Sequence, residues 1–238
     1  MNVPVKLSYA RLVLSECRAF VRGRQRRTQA QIIEEYGDWR VNLQQPVLAV
    51  HPDGRLERTR VGDVRARNWR RIVEGLGELG VTGGTVLEVG GGDGTNIRGL
   101  RESEPRINWI ACDLVPRNRA VVQCDATKLP FDEGSLDAVI TYNALEQMPR
   151  EVSYQAMKEI ARVSRAGVVS VEPDYERGRW PQKLAMIRKD YIRDIVAPAT
   201  AAGLELVRRE WTIGGNPMNR PSLFIFRKSP LVGSLRTT

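Results

Sequence analysis

The chain has 238 residues, 42% of them hydrophobic and 27% charged, and no apolar run approaches the roughly 20 residues that a bilayer-spanning helix needs. Its net charge of +9 is concentrated at one end: residues 1–73 hold 15 Lys+Arg against 7 Asp+Glu, while the rest hold 22 against 21. This excludes a transmembrane protein and fits one globular domain with a basic preface. Cys17, Cys112 and Cys124, without CxxC spacing, argue against a zinc site or disulfide framework and for a reducing, cytoplasmic setting.

In residues 5–35, Leu7, Ala10, Val13, Leu14, Cys17 and Val21 recur mostly at three- and four-residue spacing, which predicts an amphipathic helix or two, with Arg18, Arg22, Arg24, Arg26 and Arg27 following closely. Pro46, Pro52, Asp53 and Gly54 are expected to break regular structure, and 64–79 to return to helix before the Thr82-Gly83-Gly84 turn. The first 80 residues therefore read as a basic, mainly helical N-terminal cap, residues 81–230 as the main domain and 231–238 as a C-terminal tail.

From Thr85 onward apolar runs alternate with amphipathic stretches. The pattern predicts strands at 85–89, 107–112, 120–124, 136–142, 167–172, 204–212 and 222–228, with helices at 95–103, 150–164 and 182–202. Strands alternating with helices predict an α/β fold whose mainly parallel sheet is covered on both faces. Ligands of such sheets bind beyond the carboxyl ends of the strands, so the residues just after each apolar run are the informative ones.

The first such end reads Glu88-Val89-Gly90-Gly91-Gly92-Asp93-Gly94-Thr95, a strand, a glycine turn and a helix start. Glycines let backbone approach a ligand closely, and the helix start offers unpaired N–H groups. The next two ends carry Asp113 and then Asp125-Ala126. Neither a GxGxxG dinucleotide pattern nor the Gly-Lys-Ser/Thr of a phosphate-binding loop is present, which favours a ligand without a pyrophosphate.

The run Glu88-x-Gly90-x-Gly92-x-Gly94, then Asp113, then Asp125 to Val139 resembles the class I S-adenosylmethionine-dependent methyltransferases, strongly over 84–172 and loosely over 173–228. The resemblance implies a Rossmann-like, seven-stranded sheet with the last strand inserted antiparallel. It implies S-adenosylmethionine as cofactor and S-adenosylhomocysteine as product. It assigns cofactor binding to Glu88, Gly90, Gly92, Gly94, Asp113, Leu114, Asp125, Ala126 and Asn143, with Asp113 on the ribose and Asp125-Ala126 on the adenine amino group. Carboxylates suit those hydroxyl and amino donors.

Two departures stand out. Only 11 residues separate Asp113 from Asp125, with Pro116 among them, so the usual crossover helix is expected to be a turn; Gln147 stands where relatives often carry histidine. Candidate catalytic groups are Glu146, after the fourth strand, and Glu172 and Asp174, after the fifth. His51 reads either as a base or as a loop residue. Cys112 and Cys124 read as buried structural thiols, and no metal is expected.

The acceptor expected is a small polar molecule or glycan carrying a hydroxyl or amine, in a specialised biosynthetic pathway. The cap and residues 173–200, with Trp180, Arg188, Tyr191 and Arg193, are expected to close over it and exclude water. A second reading is RNA methylation through Arg18 to Arg27 with Tyr36, Trp39 and Trp69. A third is a non-catalytic cofactor-binding adaptor that docks by its basic N-terminus on an anionic membrane or partner.

Overall fold

The computed structural model describes residues 5–23, 28–36 and 40–229. In chain order it contains helices α1 (Val5–Val21) and α2 (Gln29–Tyr36), strands β1 (Pro46–Val50) and β2 (Leu56–Arg60), and helix α3 (Val61–Glu78). Then come β3 (Gly84–Val89), α4 (Thr95–Ser103), β4 (Ile107–Asp113), β5 (Val121–Gln123), β6 (Leu136–Tyr142) and α5 (Arg150–Val163). The last elements are β7 (Ser164–Pro173), α6 (Trp180–Arg188), α7 (Val196–Ala201), β8 (Leu204–Trp211) and β9 (Pro221–Lys228).

Seven strands form one sheet in the order β5-β4-β3-β6-β7-β9-β8. The first five run parallel, and β9 lies antiparallel between β7 and β8. The apolar runs of β3, β6 and β7 are continuous because both faces are covered. Leu87, Val139, Val168 and Phe226 pack on one side with Met157 and Ile160 of α5; Val86, Ile140, Val169 and Ile225 pack on the other with Ile72 and Leu76 of α3. This alternation is the period-two signature of a pleated strand.

The fold agrees with the α/β expectation and departs from it in detail. Residues 46–60, expected to be irregular, form a hairpin whose register runs from Pro46↔Arg60 to Val50↔Leu56. Pro46 is tolerated as the first residue of an edge strand, and Gly54 supplies positive φ in the turn. Reciprocal bonds between Val50 and Gly214, 2.9 and 3.0 Å long, tie this hairpin to the β8–β9 connection. The single helix expected over 182–202 is two. Asp190 adopts φ +54°, a left-handed conformation that ends α6 before α7 begins. The β4–β5 connection has no helix, as the short spacing predicts.

Candidate functional site

Strands β3, β4 and β6 point their carboxyl ends at a cavity of about 360 Å³, at the small end of the range for ligand pockets. Gly90, Gly91, Gly92 and Asp93 form one wall. Gly90 sits at φ +81°, and a Cβ there would lie 2.4 Å from the Ala144 Cβ. Gly92 sits at φ +54°, and its Cβ would lie 2.5 Å from the Arg117 guanidinium. The turn therefore leaves no room for a side chain at Gly90, and the left-handed backbone at both positions favours glycine. It is anchored by the N–H groups of Gly90 and Gly91, which both donate to the Cys112 carbonyl at 2.9 Å.

Asp113 lines the cavity next to this wall; its Oδ2 accepts from Gly92 N–H and its Oδ1 from Val115 N–H, both at 2.9 Å. Leu114, Asp125 and Ala126 line the same space, and Asp125 Oδ1 accepts from the Thr127 N–H and hydroxyl. Asn143 lines the opposite side in a left-handed conformation, φ +51°, with its Oδ1 buried and without a partner. The structure thus brings together Gly90, Gly92, Asp113, Leu114, Asp125, Ala126, Asn143 and Glu146. Glu88 and Gly94 do not line the cavity. Glu88 is wholly buried, with Oε1 accepting from Asn96 Nδ2 at 2.7 Å and Oε2 unpartnered, and burial pushes its carboxyl up to about 7.

Of the catalytic candidates only Glu146 faces the cavity, and Asn219 Nδ2 donates to its Oε2 at 2.8 Å. Glu172 is fully buried and accepts from the backbone N–H groups of Ala144, Leu145 and Glu146 at 3.0 to 3.3 Å, so it holds the loop after β6. Asp174 is bound by Arg209, by the Ser222 hydroxyl at 2.6 Å and by Arg177 N–H at 3.1 Å, which hold its carboxyl below the usual range against the opposing effect of burial. Neither lines the cavity. His51 is also elsewhere, in the hairpin, with Nε2 at 2.5 Å from Glu57 Oε2.

The thiol reading of Cys112 and Cys124 is corrected: the two are joined in a disulfide with their Cα atoms 5.7 Å apart. Parallel pairing of β4 with β5 sets Cys112 opposite Val122 and Asp113 opposite Gln123, and just past β5 the Cys124 N–H donates to the Asp113 carbonyl at 2.9 Å, which keeps Cys124 within reach of Cys112. The trait belongs to sheet adjacency, which no Cys spacing encodes.

Several residues lining the cavity escaped the sequence reading. Arg65 of α3 reaches it, donating to Asn96 Oδ1 and stacking 5.0 Å from the Tyr142 ring centroid. Arg117, Asn219, Lys189 and Ile33 line it too, and so does Tyr191, one of the residues expected to close over the acceptor. Val41 N–H donates to Asp93 Oδ2 at 2.7 Å, so the preface does lie over the glycine turn. Trp180, by contrast, is 64% exposed, and Arg188 pairs with Glu16 of α1. Arg193 is exposed, beside a separate small cleft.

Of the groups proposed to bind RNA, Arg24, Arg26, Arg27 and Trp39 lie outside the described residues, as does the side chain of Tyr36. Trp69 lies against Gly99 and donates to Asn96 Oδ1 at 3.1 Å, which commits its ring to the fold. Among the described residues no group of three or more His, Cys, Asp or Glu side chains could hold a metal ion.

Residues 87–171 match a family model described as a methyltransferase domain. A demethylmenaquinone methyltransferase of Beutenbergia cavernae is 32% identical over 125 residues, which cover 48% of this chain and 50% of that protein. The match thus spans about half the length of that relative. A crystal structure from Galdieria sulphuraria, provisionally described as a sarcosine dimethylglycine methyltransferase, aligns with TM-score 0.56 at 12% identity, covering 83% of this chain and 96% of the other. Magnesium protoporphyrin IX methyltransferase from Synechocystis PCC 6803, with bound S-adenosylhomocysteine, aligns with TM-score 0.51 at 13% identity over 71% and 87%. Residues 87–171 are thus similar to a methyltransferase domain, and the seven-stranded sheet has the fold of these methyltransferase structures.

Proposed function

We propose that the protein is an S-adenosylmethionine-dependent methyltransferase acting on a small molecule that presents an amine or hydroxyl. The observation that carries the reading is the convergence of the glycine turn, Asp113 and Asp125 on one cavity. The residues fit the cofactor's parts. Asn143 Oδ1, a buried acceptor without a partner on the cavity wall, suits an ammonium group, and the Arg65 guanidinium suits a carboxylate. Asp113 is proposed for the ribose and Asp125 with Ala126 for the adenine.

When bound, the cofactor supplies an electrophilic methyl group on a sulfonium, and transfer then depends on alignment of the acceptor. Glu146 and Asn219 are proposed to supply that alignment. Because a carboxylate can only accept, the Asn219 amide must turn Nδ2 toward Glu146, which fixes its orientation. Its Oδ1 is then left buried and unpartnered, an acceptor for an N–H or O–H of the substrate. Glu146 is also the nearest proposed proton acceptor, since Glu172, Asp174 and His51 lie off the cavity. Tyr191, Ile33 and Val41 help to exclude water.

Residues 1–60, rather than 1–80, are proposed as the cap, because α3 belongs to the layer covering the sheet; 61–230 would be the catalytic domain and 231–238 the tail. A glycan acceptor remains part of this proposal. The test is formation of S-adenosylhomocysteine with a panel of small amines, sugars, phenols and a demethylated quinol. Turnover with one class, lost in Asn219→Ala, supports the reading; cofactor binding without transfer to any of them favours the adaptor.

A further inference from the structure

We propose that one face of α1 is a docking surface for an anionic lipid membrane. Leu7, Leu14 and Val21 recur every seven residues, and the helical repeat displaces each from the last by only about 20°, so they form a single stripe along the 17-residue helix. The stripe is open to solvent: Leu7 is 46% exposed, Leu14 58% and Val21 86%, and exposed Ala10 adds to it. Arg11 and Arg18, one turn beyond Leu7 and Leu14, are exposed on the adjoining stripe, and exposed Arg22 follows them.

The opposite side of α1 is already used. It packs on α6, and Glu16, the helix's one acidic residue, is 12% exposed and paired with Arg188. The outward surface is therefore apolar on one flank and cationic on the other, without a carboxylate between them. That charge pattern selects the occupant. A partner helix of ordinary composition would match the leucines but leave the arginines unanswered, whereas an anionic bilayer surface offers apolar depth beside phosphate charge. Lys189, which follows Arg188, lines the cavity, so the docked helix is linked through one ion pair to its rim.

The experiment is co-sedimentation of the full chain with vesicles of phosphatidylcholine, alone or mixed with phosphatidylglycerol. Binding to the mixed vesicles only, weakened by added salt, is expected. Leu7→Glu with Leu14→Glu, and separately Arg11→Glu with Arg18→Glu, should each lower the partition coefficient by about tenfold or more. Helicity and melting temperature should stay unchanged at these exposed positions. A readout independent of variants is amide exchange of residues 5–21, which anionic vesicles should slow. Three results would overturn the proposal: wild type left in the supernatant, leucine variants that sediment like wild type, or a concentration-dependent dimer abolished by those variants without vesicle binding. Binding to single-stranded RNA that depends on the arginines alone, again without vesicle binding, would equally reassign the surface.

Discussion

Asp113 Oδ2 accepts the Gly92 N–H at 2.9 Å, a side-chain bond that joins those of Gly90 and Gly91 to the Cys112 carbonyl in tying the turn after β3 to the tip of β4. The same carboxylate proposed to read the cofactor's ribose thus also fixes the turn beside it. Binding and architecture are coupled at this residue, and the neighbouring positions share the coupling.

Gly90→Ala tests the turn itself. The new Cβ meets the Ala144 Cβ at 2.4 Å, and φ +81° is unfavourable for any L side chain. Steric and conformational costs of roughly 1–3 kcal/mol each should lower the melting temperature and weaken cofactor binding at least tenfold. Adding Ala144→Gly should recover part of the loss, because it removes the contact and leaves the strained φ. Complete recovery, or no initial effect, would show that the turn is looser than described.

Arg65 should matter for one part of the ligand only. Arg65→Ala is expected to weaken S-adenosylhomocysteine, which has a carboxylate, by roughly 1.5–3 kcal/mol and to leave adenosine nearly unaffected. Equal losses for both compounds in equilibrium dialysis would mean that Arg65 supports the fold through Asn96 and Tyr142 rather than the ligand.

Glu88 gives stability a pH dependence. Burial raises its carboxyl from the ordinary 4.5 to about 7, with the Asn96 hydrogen bond and the charge of Arg65 opposing. The folded protein therefore holds this proton more tightly than the unfolded chain. The resulting stabilisation is complete below about pH 4.5 and is lost as the pH rises through 7, amounting to about 3 kcal/mol at most. Between about pH 5 and 8, wild type should lose stability relative to Glu88→Gln in urea titrations. Parallel pH curves for the two proteins would contradict the assignment.

The Cys112–Cys124 disulfide closes a short loop between the two proposed adenosine-binding acids, with a sequence separation of 12. Reduction by dithiothreitol should destabilise the protein by about 2–3 kcal/mol and weaken cofactor binding, and Cys112→Ser with Cys124→Ser should be insensitive to reductant. Thiol titration of the unfolded, unreduced protein should find Cys17 alone. Three reactive thiols would refute the pairing.

Residues 84–173 are legible because local and global signals agree there: continuous apolar runs mark strands buried on both faces, and the runs of β3, β4 and β6 lead into residues that line the cavity. Asp113 and Asp125 stand out by their place after a strand. Arg65 and Asn219 do not, since α3 and the β8–β9 connection reach the cavity only through the sheet order. Glu172 and Asp174 stand at the end of β7 but serve the fold: Glu172 accepts the backbone N–H groups after β6 and Asp174 pairs with Arg209, partners that the sequence around them does not reveal. The hairpin at 46–60 was masked by prolines that an edge strand tolerates, and α6 and α7 were merged because Asp190 carries no sequence mark of its left-handed φ.

The central claim is that S-adenosylmethionine sits in this cavity with its ribose on Asp113. Calorimetric titration of S-adenosylmethionine and S-adenosylhomocysteine into wild type and Asp113→Ala tests it most directly. Saturable one-to-one binding by wild type is predicted, weakened in the variant by about 1.5–3 kcal/mol, on the order of 10- to 100-fold. Undetectable binding to a folded wild-type protein, or equal affinity in both proteins, would contradict it.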